Sequence, residues 1–122
     1  RLPHAPDLRE LHFGHWETRA FAEIAAESPD PIRAFWETPG DIRPPGGECW
    51  NDLAARTWAA LDRLQGTAPD IIIVAHFGPI VAALQRAKTL SPEAAFSHRI
   101  DNLSVTSLTL APPEVFAINR RP

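Results

Sequence analysis

Residues 71–76 read Ile-Ile-Ile-Val-Ala-His, and no other stretch narrows the fold as much. The run 71–75 has strand length and is apolar at every position rather than at alternate ones. A strand of that kind is buried on both faces and lies inside a sheet, with a partner on each side. Phe77-Gly78-Pro79 follow, a turn residue and then a proline suited to the first turn of a helix. The pattern predicts a strand over 70–75, a turn at His76 and a helix over 79–87. It places His76 at the carboxyl edge of an α/β sheet, where such folds bind ligands. A helix beginning at Pro79 would aim the N–H groups of Phe77 and Gly78 at the same spot. Two backbone donors beside a histidine make a place for an anion, phosphate being the best suited.

The rest of the chain supports layers of helix and strand. Residues 1–16 are rich in Pro, His and Asp and read as an irregular loop. Phe21, Ile24 and Ala25 recur at helical spacing between Glu17 and Glu27. Asp30-Pro31 opens a second helix, with Asp30 as its cap and Trp36 near its end. Proline and glycine make Thr38–Gly47 a loop. A longer helix is expected from Glu48 to Gln65. Trp50, Leu53, Ala54, Thr57, Leu61 and Leu64 form its buried stripe, and Asp52, Arg56, Asp62 and Arg63 a solvated face. Ser91-Pro92 caps a short helical turn, and strands are expected over 104–110 and 115–119 around Pro112-Pro113. Helices alternating with strands give an α/β class. Only two further strands are visible, so a neighbour for 71–75 is expected upstream of Arg1, or from a second copy of the chain in a homodimer.

Composition excludes several functions. A length of 122 residues suits one domain, and a net charge of -3 with no basic cluster argues against nucleic-acid binding. No apolar run approaches the ~20 residues of a membrane span, and no signal peptide is visible. The single cysteine, Cys49, cannot form an internal disulfide, which fits a reducing, cytoplasmic setting. Methionine is absent and the chain opens Arg1-Leu2-Pro3, so a piece of a longer chain is expected, residues 1–122 being the carboxyl-terminal portion of one domain.

Four segments together resemble the histidine phosphatases, the phosphoglycerate mutase-like superfamily. They are Asp7-Leu8-Arg9-Glu10-Leu11-His12-Phe13-Gly14-His15-Trp16-Glu17; Pro45-Gly46-Gly47-Glu48 leading into Asp52 and Arg56; Ile72-Ile73-Val74-Ala75-His76; and Ile100-Asp101-Asn102-Leu103-Ser104-Val105-Thr106. Their order and spacing match the family along nearly the whole chain. The resemblance implies a three-layer phosphoglycerate mutase-like sheet with helices on both faces, here lacking its amino-terminal strand or strands. It implies a phosphomonoester hydrolase that works through phosphohistidine on a small phosphorylated metabolite, closer to α-ribazole phosphatase-like members than to glycolytic mutases. In the family, a histidine of an Arg-His-Gly motif attacks the phosphoryl group. A second histidine, matched by His76, donates hydrogen bonds to the transferring oxygens. An acidic residue, matched by Glu10, protonates the leaving oxygen. A carboxyl group shielded from water can have its pKa raised enough for that task. No metal or organic cofactor is implied.

This sequence departs from the pattern in carrying no Arg-His-Gly and none of the arginines of the family's phosphate pocket. Phe77 stands where the family has glycine, so its ring is expected to crowd or stack on substrate, with Gly78 beside it as a substrate-binding position. Thr18 replaces the glycine of Trp-Glu-Gly. Glu48 is expected at a helix start, where its charge favours the dipole. Trp16 and Arg19 suit a pocket rim; Trp36, Trp50 and Trp58 suit packing; Asn102 suits a backbone bridge ahead of its strand.

Other chemistries fit less well. Cys49, His76 and Asn102 occur in the chain order of papain-like proteases, but their spacing is too tight. His4, His12 and His15 lack the multi-ligand signature of a zinc site. A member of the same fold that binds a phosphorylated ligand or a protein without catalysis is the competing function, motivated by Phe77 and the missing nucleophile.

Overall fold

A run of Ala20, Ser28, Cys49, His76 and Ser91 marks where the helices begin. The computed structural model describes residues 3–122; residues 1 and 2, where the expected loop starts, lie outside the described residues. Helix α1 spans Phe21–Glu27 and α2 spans Pro29–Glu37. α1 starts later than Glu17 because Gly14–Trp16 form a tight 3-10 turn and Thr18 takes a left-handed φ of 61°. Ser28 breaks the two helices apart, and Pro29 opens α2 with a ring already set at a helical φ. Ile32 and Phe35, three apart, are the buried positions of α2.

Helix α3 spans Trp50–Leu64. The Cys49 N–H donates to Asp52 Oδ2 at 3.2 Å, which ties off its first turn. Trp50, Leu53, Ala54, Thr57, Ala60 and Leu61 are buried, the spacing of a single apolar face. Helix α4 spans Phe77–Lys88. It begins two residues earlier than the sequence suggests: His76 is its N-cap, and the Ile80 N–H already donates to the His76 carbonyl at 3.3 Å. Pro79 is therefore the third residue of the helix, where a missing N–H costs nothing because the first turn has no intrahelical acceptors. Helix α5 spans Pro92–Phe96, capped by Ser91 Oγ, which accepts from the Ala94 N–H at 3.2 Å.

Strands β1 (Val105–Leu110) and β2 (Pro113–Arg120) form an antiparallel hairpin in which Leu110 faces Pro113 and Leu108 faces Val115. The core lies where α3 packs on α4. Trp50 Nε1 donates to Gln85 Oε1 at 2.7 Å, and Trp58 Nε1 to the Ala82 carbonyl at 2.7 Å, so both indole donors are satisfied. Phe96 brings α5 onto Trp50 with ring centroids 4.6 Å apart.

The class is α/β, and the sheet among the described residues is the β1–β2 hairpin alone. The expectation of a buried interior strand at 71–75 is corrected. These residues belong to no strand, and the Ile72 and Val74 side chains are 94% and 96% exposed. The reason is geometric. A strand buried on both faces needs a ladder partner on each edge, and β1 and β2 pair only with each other. Leaving these two side chains in water forgoes roughly 3–6 kcal/mol of apolar burial.

Candidate functional site

Two of the residues singled out in the sequence, Glu10 and Gly78, meet at the start of α4. Glu10 comes from the loop that follows a 3-10 turn at Pro6–Leu8, and the Gly78 N–H, in the first turn of α4, donates to both its carboxylate oxygens, at 3.1 and 3.2 Å. The Leu11 N–H donates to Glu10 Oε1 at 2.8 Å. The first turn of α4 thus directs a backbone N–H that has no intrahelical acceptor at the Glu10 carboxyl group. Only glycine permits this approach: a Cβ at position 78 would overlap Glu10 Oε1 and sit 2.8 Å from Leu53 Cδ1. Gly78 is therefore the residue that holds Glu10.

His76 is the residue just before this helix, with extended backbone (φ -104°, ψ 177°) and an exposed side chain. Gly78, whose N–H binds Glu10, lies two positions further along the chain, with Phe77 between. Phe77, the first residue of α4, packs toward α5. Its ring is half-buried against the core and packs edge-on to Phe96 with centroids 6.2 Å apart, so the packing of α5 occupies it.

The loop carrying Glu10 is fastened to α3 by Arg56. This arginine was grouped with the solvated face, and the structure corrects that: only 14% of its side chain is exposed. Nε donates to Glu48 Oε2 at 3.1 Å and Nη2 to Glu48 Oε1. Nη1 donates to the carbonyls of Asp7 and Arg9 at 2.7 and 2.9 Å, and Nη2 to the carbonyl of Glu10 at 3.0 Å. Glu48 also accepts the His12 N–H at 3.0 Å. Burial alone would push the Glu48 carboxyl up, but Arg56 and the His12 N–H outweigh it and hold the group below the usual carboxylate range. Glu48 is thus a partner of Arg56 as well as a charge near a helix start. Helical spacing carried a signal for Arg56 that was missed: it lies three residues after Leu53 and four before Ala60, both buried, at the border of the apolar face.

A second fastening joins the same loop to the segment before α3. The His15 N–H donates to the Pro45 carbonyl and the Glu48 N–H to the His12 carbonyl, both at 2.9 Å. Gly14 takes a φ of 56° and approaches Pro45 and Gly47 too closely for any side chain.

The other residues singled out in the sequence lie as follows. Cys49 is 2% exposed and burial pushes its thiol up, the opposite of what a nucleophile at a helix start needs. Among the described residues, no group of three or more His, Cys, Asp or Glu side chains converges as a metal site would require. Trp50 and Trp58 pack as expected, whereas Trp36 is 42% exposed. It lines a surface cavity of about 270 Å³ together with Phe13, Trp16, Arg19 and Phe21, and a neighbouring one of about 310 Å³. His76 lines neither cavity. The backbone bridge ahead of β1 is made by Asn119, whose Oδ1 accepts the Asp101 N–H at 2.7 Å, and Asn102 is exposed.

Comparison with known proteins gives this geometry a family. The model of the histidine phosphatase superfamily (branch 1) matches residues 2–119. The chain is 34% identical over 109 residues to the bifunctional protein Rv2228c of Mycobacterium tuberculosis, covering 86% of this chain and 28% of that protein. It is 33% identical over 97 residues to the glucosyl-3-phosphoglycerate phosphatase of Mycobacterium tuberculosis, covering 71% of this chain and 43% of that one. The chain therefore spans less than half the length of these curated relatives. The structure of mycobacterial glucosyl-3-phosphoglycerate phosphatase with inorganic phosphate superimposes with a TM-score of 0.80 at 26% identity, over 96% of this chain and 64% of that one. With a family model matched along almost its whole length, this chain belongs to the histidine phosphatase superfamily.

Proposed function

We propose that the protein containing this chain is a phosphomonoester hydrolase acting on a small phosphorylated metabolite through a phosphohistidine intermediate. The observation that supports this reading is the Glu10 carboxyl group bound by the Gly78 N–H, two positions after His76 in the chain. A phosphoryl group lying against the first turn of α4 would meet the His76 imidazole, whose N–H stabilises charge growing on the equatorial oxygens. The Phe77 N–H, which helix geometry leaves without an intrahelical acceptor, is a second donor for those oxygens. Glu10, on the other side, delivers a proton to the leaving alkoxide. The attacking nitrogen forms the bond to phosphorus as the ester oxygen departs with that proton, and water then attacks the phosphohistidine. No Arg-His-Gly occurs among these residues, so this reading assigns the attacking histidine to another part of the protein. The exposed run 71–75 would pair with strands from that part, or from a second copy of the chain.

The likeness to the mycobacterial glucosyl-3-phosphoglycerate phosphatase supports a small phosphorylated substrate.

The general-acid role is tested on the full natural chain with Glu10→Gln. Loss of a general acid costs about a hundred- to ten-thousand-fold on an alkyl phosphomonoester. On p-nitrophenyl phosphate, whose leaving group departs without a proton, the loss is expected to be far smaller. Equal losses on both substrates would overturn the role.

A further inference from the structure

We propose that Arg56 is a positioning residue for the Glu10 general acid, acting from α3 through the backbone of the loop that carries it. The inference rests on the general-acid reading of Glu10. Arginine has five N–H donors, and here every one is committed: two contacts go to Glu48 and the others to the carbonyls of Asp7, Arg9 and Glu10. The acceptors are placed tellingly. The chain is gripped at Arg9 and at Glu10 itself, and again at His12 through the carboxylate of Glu48. The Glu10 side chain leaves the loop between those fixed points and reaches the Gly78 N–H on α4.

Glu10 is thus suspended between two helices, its backbone fixed to α3 and its carboxylate to α4. A proton donor works only where it meets the leaving oxygen, and a misplacement of ~1 Å can cost about a hundredfold. Lysine cannot replace the fork: its single ammonium cannot bond three carbonyls and both oxygens of a carboxylate in one plane. The pair is also well sheltered, with side-chain exposures of 14% and 16%, so solvent competes little for these bonds.

The test uses Arg56→Lys in the full natural chain, with kcat and KM measured on an alkyl phosphomonoester and on p-nitrophenyl phosphate. The expected result is a kcat lower by about ten- to a hundredfold on the alkyl ester, a clearly smaller loss on p-nitrophenyl phosphate, and little change in KM. In a Glu10→Gln background, Arg56→Lys should shift the ratio of the two rates no further, because the group it positions is gone. Glu48→Gln, a milder release of the same fork, should move the ratio in the same direction. Equal losses on both substrates would show an ordinary structural role and overturn the proposal. So would a ratio shift that persists in the Glu10→Gln background. A Glu10→Gln variant with no leaving-group bias would remove the general-acid reading and this proposal with it. That failure is distinguishable, because no Arg56 variant enters the comparison.

Discussion

Gly78→Ala sets two effects of known sign against each other. Alanine is the better helix former, favoured over glycine by about 1 kcal/mol in a helix interior. Against this, the added Cβ would overlap Glu10 Oε1 and lie 2.8 Å from Leu53 Cδ1, so the Glu10 carboxyl and the buried Leu53 side chain must both shift. Overpacking of this kind costs about 1–3 kcal/mol. Pushing the carboxylate away also strains the bonds it accepts from Gly78, and a hydrogen bond to a charged group is worth about 1.5–3 kcal/mol. The net expectation is destabilisation by about 2–5 kcal/mol, with steric conflict outweighing propensity. Urea unfolding followed by tryptophan fluorescence measures it, and a midpoint lower by about 1–3 M is expected at an unchanged slope. Combining the change with Glu10→Ala should return part of the loss, a coupling of about 0.5–3 kcal/mol for groups in contact. A Gly78→Ala protein as stable as the parent, or a coupling of zero, would refute the contact between Glu10 and α4.

Three further outcomes follow from the same contacts. The Glu48 carboxyl is held below its ordinary range when folded, so its contribution is complete above that range and is lost as pH falls through about 4.3 toward the folded value. Glu48→Gln should therefore flatten part of the acid limb of the stability curve, leaving the share due to Glu27, Asp52 and Asp101, whose carboxyls are also held low; an unaltered limb would contradict it. Cys49 should resist iodoacetamide at neutral pH in the native protein and react freely in urea, and rapid native alkylation would contradict its burial. Trp50→Phe strands the buried Gln85 oxygen and should cost about 1–3 kcal/mol in the same urea assay, whereas a neutral result would mean that water or another donor replaces the indole.

Local signals were legible and long-range ones were not. Ser91-Pro92, the α3 stripe and the pairing around Pro112-Pro113 each depend on neighbours within a turn or a hairpin, and each appears where the residues suggest, except that Leu64, at the end of the expected stripe, is only partly buried. The start of α4 is off by two residues because proline is tolerated anywhere in a first helical turn, not only at its opening. The run 71–75 is apolar enough for a sheet interior, but its burial depends on partner strands that a local pattern cannot supply. Arg56 shows the same limit at one side chain. Composition reads it as solvated, and the carbonyls that satisfy it lie 46 to 49 residues away in the chain. Glu10 and His76 emerge from motif resemblance, and the bond that links Glu10 to Gly78 only from the fold.

The most direct test of a phosphoryl site at the head of α4 is the turnover of p-nitrophenyl phosphate by His76→Ala in the full natural chain. Loss of a fixed donor to the developing charge should lower kcat by about a hundred- to a thousandfold while the protein stays folded, because the exposed imidazole contributes little to packing. Turnover near that of the parent protein would contradict the site.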